Sequence, residues 1–192
     1  LTVLAWPAYL VIGLFAEPIV RLLYGPAWVE AVPLVPILCV AAAARMGYSL
    51  SQPALLAIGR PYLTALSVGT NLAARILVLW WLGGGDLWRF ALALCIADLL
   101  SLPVPAWLMA KHLGFSLRQS LAAQWPSMAV TLVCAATALT LHAWLPKHWP
   151  AAMTVMIVAT VVGCTWLAAI FGLRHPLRDE LARLRLWQTG RS

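Results

Sequence analysis

Charge is scarce in this chain. Only 10% of the 192 residues are Asp, Glu, Lys or Arg, and just six are acidic, whereas an ordinary soluble domain carries about 25% charged residues. A chain that is 63% hydrophobic cannot give itself the polar coat that water requires. Cysteine is thin as well. Cys39, Cys95, Cys134 and Cys164 lie far apart in apolar runs and form no CxxC pair, so they read as small buried hydrophobes rather than a disulfide framework. His112, His142, His148 and His175 show no metal-ligand spacing such as HExxH, and neither a metal nor another cofactor is expected. No Ser/His/Asp set, Cys/His set or carboxylate pair has catalytic spacing, and the stretches between apolar runs are too short to build an extracellular active site. An enzyme is therefore not expected. Gly83-Gly84-Gly85-Asp86 lacks the following Lys-Ser/Thr of a phosphate-binding loop.

What is present is apolar sequence in bilayer-sized lengths. Mean hydropathy is +0.88, and a membrane helix needs roughly 20 such residues. The expectation is an all-α integral membrane fold of about six transmembrane helices, over 1–23, 32–58, 62–82, 87–110, 121–145 and 151–173. Turns rich in Gly and Pro separate them, at Tyr24-Gly25-Pro26-Ala27-Trp28 and Gly59-Arg60-Pro61. The most polar internal loop is 111–120, and 146–150 leads out of span five. The chain opens on Leu1, and 1–16 lacks the basic start of a signal peptide. The expected reading is a helix cut from a longer protein, of which this chain is the C-terminal part.

Basic residues near span ends orient such proteins. Arg60, Lys111 and Arg118 fall on one side with the tail cations Arg174, Arg178, Arg183, Arg185 and Arg191, while Arg21, Arg89 and Lys147 fall on the other. Without the tail the two sides tie, so the tail makes its own side cytoplasmic. Trp28, Trp80, Trp81, Trp88, Trp144 and Trp149 then cluster near the outer interface, the depth that amphipathic rings prefer. In the tail, 174–192, Leu177, Leu181 and Leu184 recur at helical spacing with cations off the stripe. That pattern fits an amphipathic helix attracted to anionic lipid. The net charge of +7 comes with no separate basic domain bearing aromatic platforms, so nucleic acid is not an expected partner.

Some residues are out of place in lipid. Arg45 in span two, Arg75 in span three and Asp98 in span four stand near mid-span, where charge is costly and faces cavities or partners. Two readings are open. Asp98 pairs with Arg45 or Arg75 and fixes helix packing, or the two arginines line a water-filled cavity and receive an anionic substrate, since guanidinium matches phosphate oxygens. Gln52, with Ser49 and Ser51, lies on span two, Asn71 on span three and Gln124 near the start of span five. Such groups bond neighbouring helices or line the same cavity. Glu17 and Arg21, four apart, form a helix-face pair near the outer interface. Prolines at 7, 18, 36, 53, 103, 105 and 126 are expected to kink their helices, a feature of transporters with broken helices.

The segment Leu14-Phe15-Ala16-Glu17-Pro18-Ile19-Val20-Arg21-Leu22-Leu23-Tyr24-Gly25-Pro26-Ala27-Trp28 resembles a "pi-x-x-l-(F/Y)-G-x-x-W" stretch of oligosaccharide flippases. These form the polysaccharide transporter family of the multidrug/oligosaccharidyl-lipid/polysaccharide exporter superfamily. Gln52-Pro53-Ala54-Leu55-Leu56-Ala57-Ile58-Gly59-Arg60 resembles that family's "ll-x-a-x-G-(R/K)" turn. Leu113-Gly114-Phe115-Ser116-Leu117-Arg118 and Trp125-Pro126-Ser127-Met128-Ala129 are similar to the approach to its penultimate helix. The resemblance implies the last six of about fourteen helices, the C-terminal bundle of a two-bundle transporter. It also implies flipping of a lipid-linked oligosaccharide, usually on undecaprenyl pyrophosphate, across a bacterial inner membrane. Partners would be membrane lipid, that substrate and the N-terminal half. Arg45 and Arg75 would hold pyrophosphate or an acidic sugar, and Asp98 would balance charge or carry a coupling proton. The alternatives are a drug or ion exporter of the same superfamily, a membrane-embedded polysaccharide polymerase or glycosyltransferase, and a permease subunit with no site of its own.

Overall fold

Proline placement explains much of where the helices begin. The computed structural model describes residues 1–114, 117–146 and 149–172. In it the chain forms α1 (Thr2–Leu14), α2 (Ala16–Tyr24), α3 (Leu34–Met46), α4 (Ser51–Ala57), α5 (Pro61–Leu82), α6 (Leu87–Ser101), α7 (Pro103–Leu113), α8 (Leu117–Trp144) and α9 (Ala151–Gly172), with a 3-10 turn over Pro26–Ala31. Among the described residues there is no strand. Pro18, Pro36, Pro53, Pro103 and Pro105 each stand within the first three residues of a helix. There the backbone N–H has no intrahelical partner to lose. Pro7 and Pro126 instead lie inside continuous helices.

Five segments are long and apolar enough to cross a membrane: Leu34–Ala57, Pro61–Leu82, Leu87–Leu113, Ala122–Trp144 and Ala151–Gly172. They coincide with the second to sixth expected spans. The first differs. At Phe15 the backbone leaves helical geometry (φ −108°, ψ 34°), and α2 turns 86° away from α1. The cause is local. Pro18 suits the start of a new helix, and α2 is amphipathic, with Arg21 Nη2 held 2.9 Å from Glu17 Oε1 at its exposed face. With 13 residues, α1 is about 20 Å long, short of the ~30 Å hydrocarbon core. Among the described residues, segments long and apolar enough to cross number five, or six if the bent pair is one span.

The second span is also interrupted. Turns at 47–50 separate α3 from α4, at the point where Gln124 of α8 comes down on the backbone. Its Nε2 donates to Gly47 O at 3.4 Å, and a Cβ at Gly47 would meet Gln124 Oε1 at 2.9 Å. A side chain at 47 would push the Gln124 amide aside.

The helices pack as a row, α5–α6–α3–α1–α8–α9, with α2 folded back onto α9. Two indole N–H groups pin the central helix: Trp6 Nε1 donates to Ala43 O of α3 at 2.9 Å, and Trp166 Nε1 of α9 donates to Val3 O at 2.7 Å. One half of the row has an aliphatic core built from Val3, Val130, Cys134, Val158, Val162 and Ile170. In the other half, Ala91, Ala93 and Ala97 of α6 are buried, small residues that let helices approach closely. Large apolar side chains point outward all round, among them Leu72, Ile76 and Leu77 on α5, Leu132 on α8 and Met156 on α9. Water is a poor solvent for such a perimeter and lipid a good one. Trp80, Trp81 and Trp144 are strongly exposed near helix ends. Cys95 and Cys134 are buried and Cys39 half-buried, but Cys164 is exposed on α9, against the expectation that all four would be buried. Lys147, His148, Phe115, Ser116 and the tail, including His175 and the expected amphipathic helix, lie outside the described residues.

Candidate functional site

Helical spacing gathers the polar groups. On α5, Ser67, Asn71 and Arg75 recur every four residues and share one face. On α6, Asp98 and Ser101 are three apart and share another. Arg45 stands in the last turn of α3, just before the break. These faces meet where α6 packs between α3 and α5.

Asp98 is the centre. Arg75 donates to its Oδ1 through both Nε, at 3.0 Å, and Nη2, at 2.8 Å. Asn71 Nδ2 donates to the same oxygen at 3.3 Å and to Ser101 Oγ at 2.6 Å, while Ser101 Oγ donates back to Asp98 O at 2.8 Å. Arg45 Nη1 lies 3.6 Å from Asp98 Oδ2, an ion pair without a tight hydrogen bond. The Asp98 side chain is only 6% exposed, against 33% for Arg75 and 51% for Arg45. The acid is therefore sealed beneath the two cations, whose outer edges remain accessible. Two guanidiniums against one carboxylate leave the cluster with one positive charge in excess.

That excess faces a cavity of about 460 Å³ whose wall includes Tyr9, Arg45, Gln52, Ser67, Asn71 and Arg75. Of the residues singled out in the sequence, Arg45, Gln52, Asn71 and Arg75 are on this wall and Asp98 lies behind it. The acid pairs with both arginines, and both arginines line the cavity. Gln124 is elsewhere, holding Gly47. Sequence reasoning passed over Ser67, Ser101 and Tyr9. The stripe of polar residues at four-residue spacing on α5 could have revealed Ser67, and Ser101 sits one turn beyond Asp98. Tyr9 belongs to an otherwise apolar helix and gives no sequence signal.

Further cavities adjoin the bundle. One of about 550 Å³ shares Met46, Tyr48, Ser49 and Ser51 with the cationic cavity, so the broken 47–50 segment separates the two. Another, about 760 Å³, lies inside the bend at Phe15, bordered by Glu17, Arg21 and His142. Among the described residues no group of three or more His, Cys, Asp or Glu converges as a metal site would require. The arrangement can hold an anion: it offers fixed N–H donors, one uncompensated positive charge and room for a small headgroup. No protein-family model, curated protein or solved structure matches the chain.

Proposed function

We propose that this chain is the C-terminal bundle of a transporter that flips lipid-linked oligosaccharide for cell-surface polysaccharide synthesis. It would work in a bacterial inner membrane with the tail in the cytoplasm and with an N-terminal bundle as the other wall of the path. The observation that carries the reading is the excess positive charge on the cavity wall. Arg75 is anchored by two hydrogen bonds to Asp98, whereas Arg45 is half exposed and 3.6 Å from the acid. Arg45 is thus the group that can swing to a pyrophosphate or acidic sugar, and Arg75 the one that keeps the site positive when it does. Asp98 limits the cost of two cations in a low-dielectric setting. The resemblance of the 14–28 and 52–60 segments to oligosaccharide flippases supports the same substrate class. Rocking of the two bundles would expose the cavity to one leaflet and then the other.

A cation or drug exporter of the same superfamily would need an available carboxylate, and Asp98 is already held by two guanidiniums and the Asn71 amide.

The test uses the full-length gene. With Arg45 and Arg75 both replaced by Ala and membrane expression verified, lipid-linked oligosaccharide is expected to accumulate on the cytoplasmic leaflet, with surface polysaccharide lost. Unchanged surface polysaccharide would remove the arginines from the path. If deleting the gene also changed nothing, the flippase assignment would fall.

A further inference from the structure

The two ends of the bundle differ in how their cations are partnered. At the end carrying the bend, Arg21 is 2.9 Å from Glu17 and Arg89 is 3.8 Å from Asp86, and Glu30 stands on the nearby 3-10 turn. The opposite end, where α4, α5 and α7 meet, carries Arg60 and Lys111, with Arg118 in the first turn of α8, and no carboxylate among the described residues.

Three of its donors are brought together by the fold. Gly59 adopts a positive φ of 71°, which a side chain would strain, and so turns α4 sharply into α5. Arg60 becomes the residue that caps α5. Beneath it, the buried Leu55, Leu63 and Leu108 lock that turn against α7. Arg60 then reaches the last turn of α7, where its Nη1 donates to His112 Nδ1 at 2.7 Å. An imidazole that accepts at Nδ1 carries its proton on Nε2, which is left as a donor. Lys111 extends over the Trp107 ring, 4.6 Å from its centroid. That contact steadies the ammonium without cancelling its charge.

The helix dipoles do not change the balance. The amino end of α5 contributes roughly half a positive charge and the carboxyl end of α7 roughly half a negative one, leaving two full cations and an imidazole N–H. Around them the surface is apolar and aromatic, with Leu56, Tyr62 and Trp107 all more than half exposed. A free anion needs only the donors. A phospholipid also needs somewhere to lay its glycerol and upper acyl chains, and these three side chains offer it.

We infer that Arg60, Lys111 and His112 form a docking site for the phosphate headgroup of an anionic membrane lipid, with Trp107, Tyr62 and Leu56 receiving its apolar part. The site is separate from the Asp98 cavity and stands or falls independently of the flippase reading. It holds one lipid against the α4–α5 turn and the end of α7, the corner through which α5 and α7 are coupled.

The test is native mass spectrometry of the full-length protein, purified in detergent and offered phosphatidylglycerol, phosphatidylcholine or inorganic phosphate. The wild type is expected to retain phosphatidylglycerol in preference to phosphatidylcholine. Arg60→Gln with Lys111→Gln, both at the exposed surface, is expected to lower that preference about fivefold per cation. Arg89→Gln, at the other end, is expected to leave it unchanged. Equal retention of both lipids by the wild type would overturn the proposal, as would an undiminished preference in the double variant. Displacement of phosphatidylglycerol from the wild type by inorganic phosphate at equal concentration would assign the site to free phosphate and overturn its lipid character.

Discussion

Where α8 and α9 close on α1, the buried side chains are Val130, Cys134, Val158, Val162 and Ile170, with no charge among them. Where α5 and α6 close on α3, the buried side chains are small ones, alanines with Cys95, Ser67 and Ser101, around an aspartate clasped by two arginines. Both halves present similar apolar surfaces to the outside. Between lipid-facing helices, burying one more leucine gains little, because the acyl chains are equally apolar, and association must come from close packing or from polar bonds. The α8–α9 half leans on packing with a few neutral hydrogen bonds, and the α5–α6 half adds an ion-pair cluster to its small-residue packing. The packed half costs nothing to place in a bilayer, whereas the charged half is costly to place there and gains, in exchange, a wall that an anion can recognise.

The largest effect should come from removing the acid. Asp98→Ala leaves two cations without their counter-charge and is expected to cost about 2–3 kcal/mol, less than in a dry core because the cavity hydrates the arginines. Thermal unfolding of the full-length protein in detergent measures it. Neutralising both partners, as Asp98→Asn with Arg75→Gln, is expected to recover most of that stability while abolishing transport. Recovery of transport as well would reduce the cluster to packing and erase the contrast between the halves.

Next comes a cavity in the packed half. Ile170 is fully buried, and Ile170→Ala is expected to cost about 2 kcal/mol while leaving transport intact at a temperature where the variant stays folded. A transport defect equal to that of the charge variants would mean the two halves are not separable. The smallest stability change is expected for Arg45→Gln, below about 1 kcal/mol because the group is half solvated and its ion pair is long. Its transport loss should nonetheless be severe. A double-mutant cycle of Arg45→Gln with Asp98→Asn reads their coupling directly.

Much of the charged half was legible in the sequence because lipid makes charge conspicuous. Arg45, Arg75 and Asp98 stood out in apolar runs, while for Asn71 and Gln52 the sequence left open whether they bond neighbouring helices or line the same wall. The packed half was legible only as span length, since a leucine facing lipid and one facing α8 look alike. The breaks were the least visible. The 1–23 run is almost continuously apolar, and the turn at Phe15 depends on α2 finding α9 to lie against. The interruption at 47–50 contains one glycine, and what makes that glycine matter is Gln124, far away in the chain. Such features arise from tertiary contact, and no local pattern announces them.

The Arg75–Asp98 contact also joins two consecutive helices across the short turn at 83–86, and this bears on how such a chain is made. Emerging alone from the ribosome, α5 carries an arginine whose entry into the bilayer costs about 2.5–3.5 kcal/mol. Once α6 follows, its aspartate neutralises that arginine within a single hairpin, so the pair enters more readily together than either helix does separately. Arg45, synthesised earlier on α3, has no acid to meet until that hairpin has arrived. In a bilayer, the same carboxylate that seats the two cations in the finished bundle would then also set the order in which they are neutralised.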